Sequence, residues 1–230
     1  DSPDMEMDDV LEKLDLPGQH ARRIEFLEKL DFLKEEAAPP PTSEEAISLF
    51  SSDELRIAAS FEKPVFLIVP ECPLIDKIKS IIDAQTEDGD FTMSSLFLEK
   101  ELEATIMDPV QGWRVYIVEG VRTPPDVPGD DSGRYIDNRI NRKRFHSYPD
   151  EKGMTHDIYT MLAAACCQGK YQIDRDSYTV MDGEFDDPTI HWLSRAGMGT
   201  QKFGFSQFGF NIFEDVCFRR VVGGHLFGEG

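Results

Sequence analysis

The stretch Arg195-Ala196-Gly197-Met198-Gly199-Thr200-Gln201-Lys202-Phe203-Gly204-Phe205-Ser206-Gln207-Phe208-Gly209-Phe210-Asn211-Ile212-Phe213 leads into the apolar run Val216-Cys217-Phe218-Arg219-Arg220-Val221-Val222. The final 36 residues, Arg195 to Gly230, hold 8 of the 17 glycines and 7 of the 16 phenylalanines. Such a tail is either the last irregular layer of a core or a surface built to bind. In a strand, residues two apart share a face, so Phe203 pairs with Phe205 and Phe208 with Phe210. The two Phe-Gly-Phe copies are offset by five positions, an odd number, and cannot share one face of a regular strand. A turn or bulge near Ser206-Gln207 is therefore expected. The run Val216 to Val222 reads as a closing strand that builds the core, with at least one Phe pair facing outward.

Upstream, Thr155 caps a helix that runs to about Gln168 and is ended by Gly169. Short strands are expected at Tyr178–Met181, His191–Leu193 and Phe203–Phe205. Gly120 to Asp150 is loop-like. Trp113–Val118 and Val65–Val69 are strong strand signals, and the second lies between Pro64 and Pro70 with no polar face, as a buried strand does. Helices are expected over Pro73–Ala84 and Leu96–Ile106. Thr42 with Glu45, and Ser51 with Glu54, have capping-box spacing and predict helices at Ser43–Phe50 and Asp53–Ser60.

At the N-terminus, Met7, Val10, Leu11 and Leu14 mark an amphipathic helix that Pro17-Gly18 should end. Ile24, Phe26, Leu27, Leu30 and Leu33 mark a second. Residues 1–36 carry 12 acidic and 5 basic side chains and read as a docked helical pair or an oligomerisation arm. Pro39-Pro40-Pro41 is a stiff linker and the best boundary, dividing an acidic helical extension (1–41) from the main domain (42–230). Strands and helices without regular alternation argue for an α+β fold.

A net charge of −20 speaks against nucleic acid and anionic membrane as partners. No apolar run approaches the roughly 20 residues of a membrane span. The acidic N-terminus lacks the basic and apolar regions of a signal peptide, and no compartment is assigned: cytoplasm, cell surface and virion stay open. Cys72, Cys166, Cys167 and Cys217 have no zinc-site spacing and read as reduced thiols, although a Cys72–Cys217 bridge is conceivable. Asp182-Gly183-Glu184-Phe185-Asp186-Asp187 is a solvated acidic turn or a calcium loop. Arg134, Arg139, Arg142, Lys143 and Arg144 form the one basic cluster. His20, His146, His156, His191 and His225 fit no metal spacing, and there is no nucleophile elbow, P-loop or dinucleotide fingerprint. No cofactor is expected.

The order Met154-Thr155-His156-Asp157, Gly169-Lys170, Ile173-Asp174, Tyr178-Thr179-Val180-Met181, the acidic turn, His191-Trp192-Leu193, a Gly-rich stretch and Val216-Cys217-Phe218-Arg219 resembles the C-type lectin-like domain of the formylglycine-generating-enzyme type. More narrowly, it resembles the variable proteins of diversity-generating retroelements. The likeness covers roughly Gln111 to Gly224. The last strand of that family commonly carries Gly-Phe-Arg, and Cys217 stands here in place of the Gly. The resemblance implies a rigid scaffold with a hypervariable ligand-binding surface near its C-terminus, diversified by adenine-directed mutagenesis. The Phe, Gly, Ser, Asn and Ile residues of Phe203–Phe213 suit such codon replacement, with Gln207 fixed, and they suit a paratope. The catalytic cysteine pair of the formylglycine-generating enzymes is not reproduced.

The expectation is a binding protein and not an enzyme: a C-type lectin-like fold with an N-terminal helical extension and a variable region near 190–215. It would recognise a protein or cell-surface ligand through His191, Ser194, Arg195, Phe203, Phe205, Ser206, Phe208, Phe210, Asn211 and Phe213. The alternatives are a metal- or thiol-dependent enzyme using the acidic turn or Cys217, and a structural protein that forms homo-oligomers through residues 1–36.

Overall fold

The computed structural model describes residues 6–29, 38–72, 92–93, 110–121, 151–152, 154–169, 173, 178–180, 193–197, 202–208, 216–217 and 219–228. Its helices are α1 (Met7–Leu14), α2 (Leu16–Lys29), α3 (Ser43–Ser48), α4 (Ser52–Ala59) and α5 (His156–Gln168). Its strands are β1 (Pro64–Pro70), β2 (Thr92–Met93), β3 (Trp113–Glu119), β4 (Glu151–Lys152), β5 (Tyr178–Val180), β6 (Leu193–Gly197), β7 (Lys202–Phe208), β8 (Val216–Cys217) and β9 (Val221–Phe227). The architecture is α+β, with the described strands in two sheets ordered β1-β3-β9-β4 and β2-β7-β6-β5-β8.

Local sequence explains three of the helix starts. Thr42 and Ser51 both form complete capping boxes, with Glu45 and Glu54 reaching back to the N-cap backbone. Free N–H groups at the helix starts are thereby satisfied. Thr155 Oγ1 accepts from Ile158 N at 3.3 Å and opens α5. The break between α1 and α2 differs from expectation. It falls at Asp15, whose φ of 44° is left-handed, while Pro17 and Gly18 lie in the first turn of α2. Pro is tolerated there because the first turn has no intrahelical partner for its N–H. The predicted helices over Pro73–Ala84 and Leu96–Ile106 lie outside the described residues.

β1 pairs antiparallel with β3, Phe66 opposite Ile117 and Ile68 opposite Val115. Val65 through Val69 are all buried, so both faces of β1 are covered. Helices α2 and α5 pack on β1, and α4 packs on β3 and β9. Val10, Leu14, Leu16, Phe26 and Leu27 share one core with Trp113, Tyr159 and Val222, with α2 packed on β1 and α1 packed on α4.

Among the described residues, the outer edge of β1 is closed by side chains rather than by another strand. Gln19 Oε1 accepts from Phe66 N at 2.8 Å, and Gln19 Nε2 donates to Pro64 O at 3.2 Å. Arg23 Nε donates to Phe66 O at 2.9 Å. An uncovered edge of this apolar strand would invite pairing with another chain, and α2 prevents it.

A bulge marks the β3–β9 ladder. Val115 faces His225 and Tyr116 faces Gly223, so Gly224 is the extra residue. Gly223 has a φ of 97°, and a Cβ there would lie 2.6 Å from Val115 O and 2.7 Å from Phe50 Cε1. Only glycine fits both that backbone conformation and that contact.

Two expectations for the tail are corrected. Val216 to Val222 is not one strand: β8 joins the second sheet beside β5, and β9 joins the first beside β3 and β4. Arg219 lies between them, 4% exposed, and a buried guanidinium needs hydrogen-bond acceptors that a regular apolar strand would not supply. Nor is there a turn or bulge at Ser206-Gln207. β7 continues through both residues in unbroken register with β6, because each finds a partner there. The odd offset places Phe203 and Phe208 at alternate positions of one pleated ladder instead.

Candidate functional site

The six expected contact positions that are described fall on the neighbouring strands β6 and β7, five of them in the ladder between the two and Phe203 where β7 pairs with β2. β6 and β7 pair antiparallel, with Leu193 opposite Phe208, Ser194 opposite Gln207, Arg195 opposite Ser206, Ala196 opposite Phe205 and Gly197 opposite Gly204. Ser194, Arg195, Phe203, Phe205, Ser206 and Phe208 therefore lie on neighbouring strands, with Ser194, Phe203 and Phe205 at positions of one face and Arg195, Ser206 and Phe208 at positions of the other. The ladder lies inside the second sheet, flanked by β2, which runs parallel to β7, and by β5. His191, Phe210, Asn211 and Phe213 lie outside the described residues, as do the acidic turn 182–187 and the basic cluster of Arg134 to Arg144.

This ladder is anchored to the core through Arg219. Its Nε donates to Thr179 Oγ1 at 2.9 Å, and its Nη1 donates to Glu119 O at 3.0 Å and Val121 O at 2.6 Å. Thr179 pairs with Ala196, which pairs with Phe205. A column of register partners thus runs from the buried guanidinium to the middle of β7. The Glu119 carboxylate fixes the other side of the junction. It accepts from Glu62 N at 2.8 Å, Lys63 N at 2.9 Å and Val121 N at 3.3 Å. Arg220 turns the opposite way, its Cζ 4.9 Å from the centroid of the Phe61 ring.

Sequence reasoning did not assign Arg219 this role. The available signal was an arginine pair inside an otherwise apolar run. A buried position for one of them demands converging carbonyls, and those come from residues about 100 positions upstream.

His20 and His225 make side-chain contacts within the fold. His20 Nε2 lies 2.7 Å from Pro41 O, and His225 Nε2 lies 2.9 Å from both carboxylate oxygens of Glu54. Cys72 and Cys166 carry thiols and form no disulfide, so Cys72 is not bridged to Cys217. Among the described residues, no three His, Cys, Asp or Glu side chains converge as metal ligands, and no helix is long and apolar enough to cross a membrane.

These arrangements provide a paired-strand platform held by buried hydrogen bonds. No family model, curated protein or solved structure matches the chain.

Proposed function

We propose that the chain is a ligand-binding display protein. On this reading it is a C-type lectin-like domain of the formylglycine-generating-enzyme type, diversified by a retroelement, that recognises a protein or cell-surface ligand. The observation that supports this reading is the pairing of β6 with β7, which sets Ser194, Phe203 and Phe205 at positions of one face of the two strands and Arg195, Ser206 and Phe208 at positions of the other. Aromatic side chains supply rigid contact area, and serine supplies adaptable hydrogen bonds. The stretch of resemblance also closes on itself, since its first strand, β3, pairs with its last, β9. Such closure leaves the intervening sheet free to vary without unpicking the core.

The test lies in the flanking DNA. The reading requires a reverse-transcriptase gene and a near-copy of the Arg195–Phe213 coding region that differs at adenines. A locus with neither removes the hypervariable function.

A further inference from the structure

Closing the edge of β1 needs hydrogen-bond donors but no charge, as the neutral amide of Gln19 demonstrates. Arg23 nevertheless brings a guanidinium to the same edge, 9% exposed. Its Nε is used on Phe66 O, and its Nη1 reaches Gln168 Oε1 only at 3.5 Å. Among the described residues Nη2 has no hydrogen-bond partner, and no carboxylate lies within 4.0 Å of the group. Burying a cation without a counter-ion is unfavourable. Burial pulls the Arg23 pKa down to about 10, partly opposed by the nearby Cys166 sulfur, which leaves the group charged at neutral pH.

Arg23 lines a cleft of about 350 Å³ between the α1–α2 turn, the start of β1 and the end of α5. Lys13, Arg22 and Lys63 share its wall with Arg23, against Asp15 and Glu62. This cationic majority is local to a chain whose net charge is −20. Lys13 Nζ is engaged by Ala59 O, and Arg22 faces Asp15 at 3.5 Å with both side chains exposed.

We propose that this cleft is a binding site for a small oxyanion, a phosphoryl or carboxylate group that Arg23 engages, with Lys63 and Arg22 at the rim. A planar guanidinium with unused N–H groups matches such an anion geometrically. A bound anion supplies the missing counter-charge. The site is independent of the display function, because α1, α2 and β1 build most of it, outside the stretch of resemblance.

Thermal unfolding of the full chain, titrated separately with inorganic phosphate and with acetate against sodium chloride at matched ionic strength, tests the proposal. The expected result is a saturable rise in Tm with at least one of the two anions. The folded-to-unfolded ratio should increase about 100-fold at 100 times Kd. The two titrations distinguish phosphoryl from carboxylate preference. General salting effects of phosphate do not saturate and are shared by variants. Arg23→Gln keeps a donor for the strand edge but removes the charge, and it should abolish the saturable component. If that variant does not fold, Lys63→Gln decides, with an expected loss of affinity of at least threefold. Absence of a saturable rise in the unaltered chain overturns the proposal. So does a saturable rise that Arg23→Gln retains in full, or, where that variant is unfolded, one that Lys63→Gln retains in full.

Discussion

Arg219 Nε donates to Thr179 Oγ1 at 2.9 Å, and the bond ties the connection between the two sheets to an interior strand of the second. Arg219 follows β8 of the second sheet and precedes β9 of the first, while Thr179 is a buried residue of β5. Chain continuity brings the sheets together at this point, and the guanidinium satisfies carbonyls from the end of β3 in the same stroke.

Replacing Arg219 with Met should therefore cost at least about 3 kcal/mol, since each buried acceptor left without a donor is unfavourable by roughly 1–3 kcal/mol. Arg219→Lys should fall between Met and the native residue, because an ammonium cannot span a hydroxyl and two carbonyls in the same fork. Urea unfolding monitored by tryptophan fluorescence measures both. A loss below about 1 kcal/mol for Met would show that the junction does not depend on this side chain.

Gly223 and Gly228 both have positive φ, 97° and 101°, but their surroundings differ. At Gly228 nothing among the described residues lies within 4 Å of an added Cβ, so Gly228→Ala should cost only the left-handed backbone penalty, about 1–2 kcal/mol. At Gly223 the added carbon collides with Val115 O, which is backbone held in the sheet. Gly223→Ala should cost the same penalty plus the displacement of the β3–β9 bulge, at least about 2 kcal/mol more than Gly228→Ala. The difference between the two denaturation midpoints is the measurement.

The helix caps give separate predictions for Ser51 and Glu45. Ser51 Oγ accepts from Glu54 N at 3.1 Å, and Ser51→Ala should lower stability by about 1 kcal/mol. Glu45 has its carboxyl pKa held below the ordinary value, chiefly by the Thr42 backbone N–H and then by the Thr42 hydroxyl. A carboxyl depressed on folding stabilises the fold above its unfolded pKa, and the contribution is lost as pH falls through the folded pKa. Glu45→Gln should therefore be less stable than the native chain at neutral pH, with the gap closing in acid below the usual carboxylate range. The group is fully exposed, so added salt should shrink the gap. Urea midpoints across acidic to neutral pH, at low and high salt, read this directly.

On the display reading, Phe203 and Phe205 together are contact residues rather than core. The double replacement Phe203→Ser and Phe205→Ser should then leave the unfolding free energy within about 0.5 kcal/mol of the native value, as for surface substitutions. Loss of several kcal/mol would instead mark these rings as core and weigh against display by this ladder.

Short-range chemistry was legible from the residues alone. The capping boxes at Thr42 and Ser51, the Thr155 helix start, and the strands at Val65–Val69 and Trp113–Val118 depend on neighbours within a few positions. Hydrogen-bond reach and side-chain periodicity set them locally. The grouping of Ser194 and Arg195 with Phe203, Phe205, Ser206 and Phe208 was partly legible, since these residues lie close along the chain. Their exact register was not, because it requires knowing that β6 pairs with β7 without interruption.

Tertiary structure decided the rest. The run Val216 to Val222 carries no local instruction to divide between sheets. It divides because Arg219 must find acceptors at Glu119, Val121 and Thr179, which are remote in sequence. Likewise, nothing near Gln19 and Arg23 announces that they will finish the edge of β1, 43 or more residues away. Local hydrogen bonds are specified by local spacing, whereas a buried charge or an open strand edge is satisfied only by whatever the folded chain brings to it. The residues alone established the caps, the apolar strands and the α+β class. The fold alone established how the Gly- and Phe-rich tail is cut in two and what holds its halves in place.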